Sequence, residues 1–252
     1  MSDQITAEPR DRPILFSAPM VRAILAGAKT QTRRVLTSAN SLVNGSGPCM
    51  RKDPRIIGAW SNLDFAAAWV DPGPSPAGNP GPYLKVPGGD ESVHRVYSRV
   101  QVGDRLWVRE TWRTFEREED LVDGILFAAD GAFIAIANSR DSADAWVEAH
   151  RRHSNWRPSI FMPRWASRIT LDVTDVRIQR LQDISDADIE AEGVLPYVGA
   201  MRVNGEAAKG FITARYRFAG LWNAINGKRR CCAWPDNPWV IAVTFRRLEA
   251  DR

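Results

Sequence analysis

Residues 71–82, Asp-Pro-Gly-Pro-Ser-Pro-Ala-Gly-Asn-Pro-Gly-Pro, limit the fold of this chain more than any other stretch, because eight of the twelve are Gly or Pro. Proline removes a backbone donor and fixes φ, and glycine loses the most entropy on ordering, so a regular helix or central strand does not run through such a segment. Turn chemistry continues on both sides, in Asn44–Pro48 and Val86–Glu91. The reading is a long loop insertion over about 37–100, with the core assembled from segments on either side of it.

Those segments carry clear periodicities. Ile14-Leu15-Phe16 reads as a short strand. Ser17 then caps a helix on which Met20, Val21, Ile24 and Leu25 recur at helical spacing until Gly27 ends it. After the turn at Gly103-Asp104, the run 105–112 alternates Leu106, Val108, Glu110 and Trp112 with Trp107, Arg109 and Thr111, a strand signature. A second insertion, about 113–160, reads as polar and irregular with a short helix near 142–150. The strand that starts at Ile169 alternates through Val173 and resumes at Val176 and Ile178 after a phase slip at Thr174-Asp175, the mark of a bulge. Ser185 to Asp188 fits a capping box with Asp in place of Glu and opens a short helix to Gly193. A helical segment fills 195–237, with its helix at about 213–225, and a last strand runs over 238–245. These elements predict an α+β mixed β-barrel with a few short helices, built as one domain from core segments at about 13–36, 101–112, 164–194 and 238–248.

Charge and cysteine usage narrow the function classes. The net charge of +4 is uneven: from Arg151 onward 17 basic and 11 acidic residues give +6, leaving −2 for the rest. An anionic partner such as nucleic acid fits that asymmetry, and so does a solvated basic face. Cys49, Cys231 and Cys232 form no CxxC pair and have no histidine at zinc-finger spacing, so no metal or other cofactor is expected. No apolar run approaches membrane-spanning length and the start of the sequence lacks a secretion signal, which predicts a cytoplasmic protein without membrane contact. P-loop, GxGxxG, HExxH and GxSxG patterns are missing, and His94, His150 and His153 all fall in the insertions.

Three sets of residues carry candidate chemistry. Lys29 lies just past a helix end, where it either caps the helix or, if desolvated, acts as a base toward the hydroxyl of Thr32. Glu192 sits in the last turn of its helix, against the dipole, as a solvated end residue or as a group placed for chemistry. Glu110 points inward from its strand and needs a cationic partner, Lys29 or an arginine. The loop 155–168 combines Trp156, Arg157, Arg164, Trp165 and Arg168, flat rings beside phosphate donors, the chemistry of single-stranded nucleic acid or an extruded base.

Four segments taken together, Ile14–Leu36, Val102–Trp112, Arg168–Val194 and Pro238–Leu248, resemble the ASCH domain, a PUA-like β-barrel superfamily, and in particular its prophage-encoded subgroup. They occur in the family order and include its G-x-K-x-x-T and G-D-x-L-x-V patterns. The resemblance to acetylcytidine amidohydrolases of that family implies a catalytic set of Lys29, Thr32 and Glu192, with Lys29 activating Thr32 and Glu192 orienting the lysine. The groove around that set would be rimmed by Arg33, Arg34, Glu110, Arg164, Trp165 and Arg168. What it implies about function is recognition of RNA or a modified nucleoside, with removal of an acyl group from N-acylated cytidine. A non-catalytic nucleic-acid or modified-base binding module of phage origin is the alternative, and a ribonuclease ranks below both.

Overall fold

The computed structural model describes residues 10–36, 64–74, 81–88, 93–117, 122–136, 140–152, 155–203, 206–229 and 231–249. Cys49, His153 and the segment 37–63 lie outside the described residues. The chain divides into two compact units, one formed by Met1–Ala28, Gly103–Val173 and Arg246–Arg252, the other by Lys29–Val102 and Thr174–Phe245.

In the first unit, Gly103 takes a φ of +86°, which only glycine adopts without strain, and turns the chain into the alternating run beyond it. The buried Asp104 that follows accepts from Arg12 Nε at 2.8 Å, tying β1 (Asp11–Leu15) to β6 (Arg105–Arg109). These two strands pair in parallel, and Thr170–Asp172 of β10 (Thr170–Arg180) pair antiparallel to β6. Helix α1 (Ala18–Leu25) buries Val21 and Ile24 and ends in a Schellman motif, with Gly27 at φ +73° and Ala28 N–H bonded to the Ala23 carbonyl. Ser17 occupies the N-cap position, but its side chain makes no capping bond.

The second unit contains β2 (Gln31–Val35), which pairs antiparallel with β13 (Trp239–Leu248). Helix α3 (Asp186–Ala191) and helix α4 (Ala214–Asn226) close its core, where Val35, Leu181, Ile184, Ile189, Val194, Phe218, Trp222 and Val240 pack together. Residues 239–243 are all buried, so β13 is covered on both faces.

Strands predominate and the helices are short, an α+β fold. The five-stranded sheet has the order β1-β6-β10-β13-β2 and is open, with β1 and β2 as its edges, so the closed barrel expected from the sequence is not formed by the described strands. Strand β10 shows the expected phase slip: Leu171 and Val173 are buried, then Val176 and Ile178.

The segments read as loop insertions contain sheets, which corrects that expectation. In 37–100, β3 (Trp69–Asp71), β4 (Tyr83–Pro87) and β5 (Val93–Tyr97) form an antiparallel sheet with Tyr83, Leu84, Val86 and Val96 buried. In 113–160, β7 (Trp112–Arg117), β8 (Val122–Phe127) and β9 (Phe133–Ala135) form another, accompanied by α2 (Arg140–Arg152). The segment 195–237 opens with a hairpin of β11 (Tyr197–Val203) and β12 (Glu206–Ile212) before its helix. Proline and glycine gather in the turns of such short strands, and their density hid the strands between them.

Candidate active site

Within the second unit, the end of α3 brings Glu192 to Lys29. Gly193, at φ +81°, closes α3 with a second Schellman motif, its N–H bonded to the Glu190 carbonyl and that of Val194 to Ile189. Glu192 is thereby fixed at the C-cap. Thr30 N–H donates to the Ala191 carbonyl at 2.8 Å and Phe245 N–H to the Thr30 carbonyl, which holds the start of β2 between β13 and α3.

Lys29 is 2% exposed. Its Nζ donates to Glu192 Oε2 at 2.6 Å, to the Glu192 backbone carbonyl at 3.0 Å and to the Gln31 carbonyl at 2.8 Å. The three ammonium protons thus have three acceptors. Burial lowers the Lys29 pKa from its ordinary value against the opposing pull of Glu192, and the charges of Arg34 and Arg33 lower it further. A lysine held this way moves a proton more readily than an exposed one.

Arg33, expected at the rim of a groove, is buried. It reaches Glu192 Oε1 at 3.3 Å, Asp188 Oδ2 at 2.8 Å and Gln31 Oε1. The Arg33 Nε–H is buried without an acceptor. Asp188 also accepts from Arg177 at 2.9 Å; burial pushes its carboxyl up, but Arg177 and Arg33 outweigh this and hold it at about 2. Its carboxylate therefore serves the arginines, while Ser185 Oγ accepts from the Asp188 N–H as the cap. Sequence reasoning missed Asp188 and Gln31 as members of this cluster; the capping-box position of Asp188 drew the reading toward a local role.

Thr32 is buried on β2 opposite Val243. The strand pleat sends Gln31 and Arg33 to one face and Thr32 and Arg34 to the other. Thr32 is not among the hydrogen-bond acceptors of Lys29. Arg34 is exposed.

In the first unit, the inward carboxylate of Glu110 finds the cation it needs in Arg168, not Lys29. Arg168 binds it through Nε and one terminal nitrogen, each at 2.9 Å, and reaches Asp130 at 2.9 and 3.0 Å. Its guanidinium also lies 4.1 Å from the centre of the Phe127 ring. Burial raises the Glu110 pKa in spite of the arginine. Trp165 is half-buried and packs edge-on against Trp112, while Arg164 stays at the surface, 3.4 Å from Asp11. Trp165, Ser167 and Arg168 line a cavity of about 130 Å³ with Phe127 and Ile134.

Among the described residues no three His, Cys, Asp or Glu side chains cluster as a metal site, and no helix is long and apolar enough to cross a membrane. Comparison with family models, curated proteins and solved structures gives no significant match to this chain.

Proposed function

We propose that this chain recognises RNA or a modified nucleoside and removes the acyl group from N-acylated cytidine, with Lys29 and Glu192 as its proton-handling pair. The framework of the proposal is the ASCH resemblance. The observation that carries it is a buried lysine, its pKa lowered by that burial, 2.6 Å from a carboxylate. In the reaction the amide C–N bond breaks and a C–O bond forms with the attacking hydroxyl. Lys29, having passed its proton to Glu192, accepts the proton of that hydroxyl, and the pair returns a proton to the departing cytosine amine. The buried Arg33 Nε–H is the donor left for an oxygen of the ligand.

The resemblance makes Thr32 the nucleophile, which gives an acyl-threonine that water then hydrolyses. Water activated directly yields the same carboxylate and cytidine. Thr32→Ala separates the routes: loss of turnover with a normal fold assigns the hydroxyl, and retained turnover assigns water. Chromatographic detection of cytidine released from N-acetylcytidine tests the activity itself. A role limited to stability predicts no release by folded protein.

A further inference from the structure

Of the loop residues picked out in the sequence, Trp156 and Arg164 stay at the surface and two others do not. Trp165 packs inward and Arg168 is taken up by Glu110 and Asp130. The exposed large apolar residues are Trp156 at 45%, Ile160 at 57% and Phe161 at 67%. Their placement follows from one antiparallel bridge: Trp112 N–H donates to the Arg157 carbonyl at 3.2 Å and Arg157 N–H to the Trp112 carbonyl at 2.7 Å, which pins the loop to the start of β7. That register sets Arg113 opposite Trp156. The Arg113 guanidinium lies 5.1 Å from the ring centre of Trp156 and 5.1 Å from that of Phe115.

The charges on this face are under-compensated. Among the described residues Arg113 has no carboxylate partner, and its Nε–H is buried without an acceptor. Arg109 stacks on the buried Trp107 at 4.6 Å and donates to the Ile160 carbonyl at 3.2 Å, and among the described residues it too has no carboxylate partner. Arg164 lies 6.0 Å from the Trp107 ring and pairs with Asp11 at the surface. Of the three guanidinium groups, Arg113 lies against the exposed Trp156 ring and Arg109 and Arg164 against the buried Trp107, and among the described residues Asp11 is the one carboxylate paired with them. A protein partner would have to bring acidic groups to match; a nucleic acid strand brings a phosphate with every base.

We infer that the face formed by Arg109, Arg113, Trp156, Phe161 and Arg164 binds a single strand of nucleic acid, bases stacking on Phe161 and Trp156 and phosphates meeting the arginines. This rests on the nucleic-acid reading proposed above and gives it a surface. Rings and guanidinium forks meet π-faces and phosphates, which RNA and DNA share, so base sequence matters little to the contact.

Fluorescence anisotropy of a labelled oligouridine tests it without involving amide hydrolysis. Three phosphate contacts predict a slope of about −2 for log affinity against log salt. Phe161→Ala, a change at an exposed side chain, should weaken binding about ten-fold with unchanged circular dichroism. Arg113→Gln should reduce the salt slope by about 0.7. If the oligouridine binds and both variants bind it like wild type, this face is wrong while the nucleic-acid reading stands. If the wild type binds none, both fall. If light scattering instead shows a dimer that Phe161→Ala dissociates, without affinity for the strand, the face joins two copies and the inference is overturned.

Discussion

Glu192 supplies two of the three acceptors of Lys29, its carboxylate at 2.6 Å and its own backbone carbonyl at 3.0 Å, so the lysine grips the end of α3 as a chelate. The carboxylate is positioned because α3 stops at that residue, and α3 stops there because Gly193 adopts positive φ.

Breaking that pair exposes an uncompensated buried charge. Lys29→Met and Glu192→Gln should each destabilise the protein by about 3 kcal/mol, and the double variant by less than their sum. Urea denaturation of the four proteins measures the coupling. Additive costs would mean that the two side chains do not interact in the folded state.

Gly193→Ala puts a Cβ into the left-handed region and should cost about 1–2 kcal/mol, with Gly193→Asn costing less because Asn tolerates that conformation. Both variants keep Lys29 and Glu192, so any loss of turnover reports the position of the C-cap. Equal stability of all three would show that Gly193 is not held at positive φ.

The acid limb of stability belongs in part to Asp188. Its folded pKa of about 2 lies below the unfolded value of about 3.9, so the stabilisation is complete above the unfolded value and is lost as pH falls through the folded one. The contribution is roughly 2 kcal/mol. Carbon-detected NMR titration should find the Asp188 midpoint near 2 in the wild type and higher in Arg177→Gln. A midpoint that does not respond would remove the arginine as a cause.

Arg168→Met leaves Glu110 buried and alone, at a cost of about 3–5 kcal/mol near neutral pH. Burial already raises the Glu110 pKa, and losing the arginine raises it further. A carboxyl with its folded value above the unfolded one is penalised at higher pH and relieved as pH falls through the folded value. The gap in Tm between variant and wild type should therefore narrow on acidification, and a constant gap would contradict this.

Local chemistry made part of this arrangement legible in the sequence. Gly27 and Gly193 marked the ends of α1 and α3, and the resemblance joined Lys29 to Glu192. The inward alternation of Glu110 called for a cation, although not for Arg168 in particular. Arg33 was misplaced at the rim because its burial depends on β2 lying against β13, some two hundred residues away. A single sequence does not reveal such a pairing. The short strands 69–71, 83–87 and 93–97 were hidden by the turns between them, and the edge positions of β1 and β2 depend on sheet order, which periodicity does not encode.

The most direct test of the central claim is cytidine release from N-acetylcytidine by purified protein, with Lys29→Met beside it and the folding of both checked by circular dichroism. The account predicts release by the wild type and none by the variant. A folded wild type that releases no cytidine, or a variant that releases it equally well, would contradict the assignment of Lys29 and Glu192 as the catalytic pair.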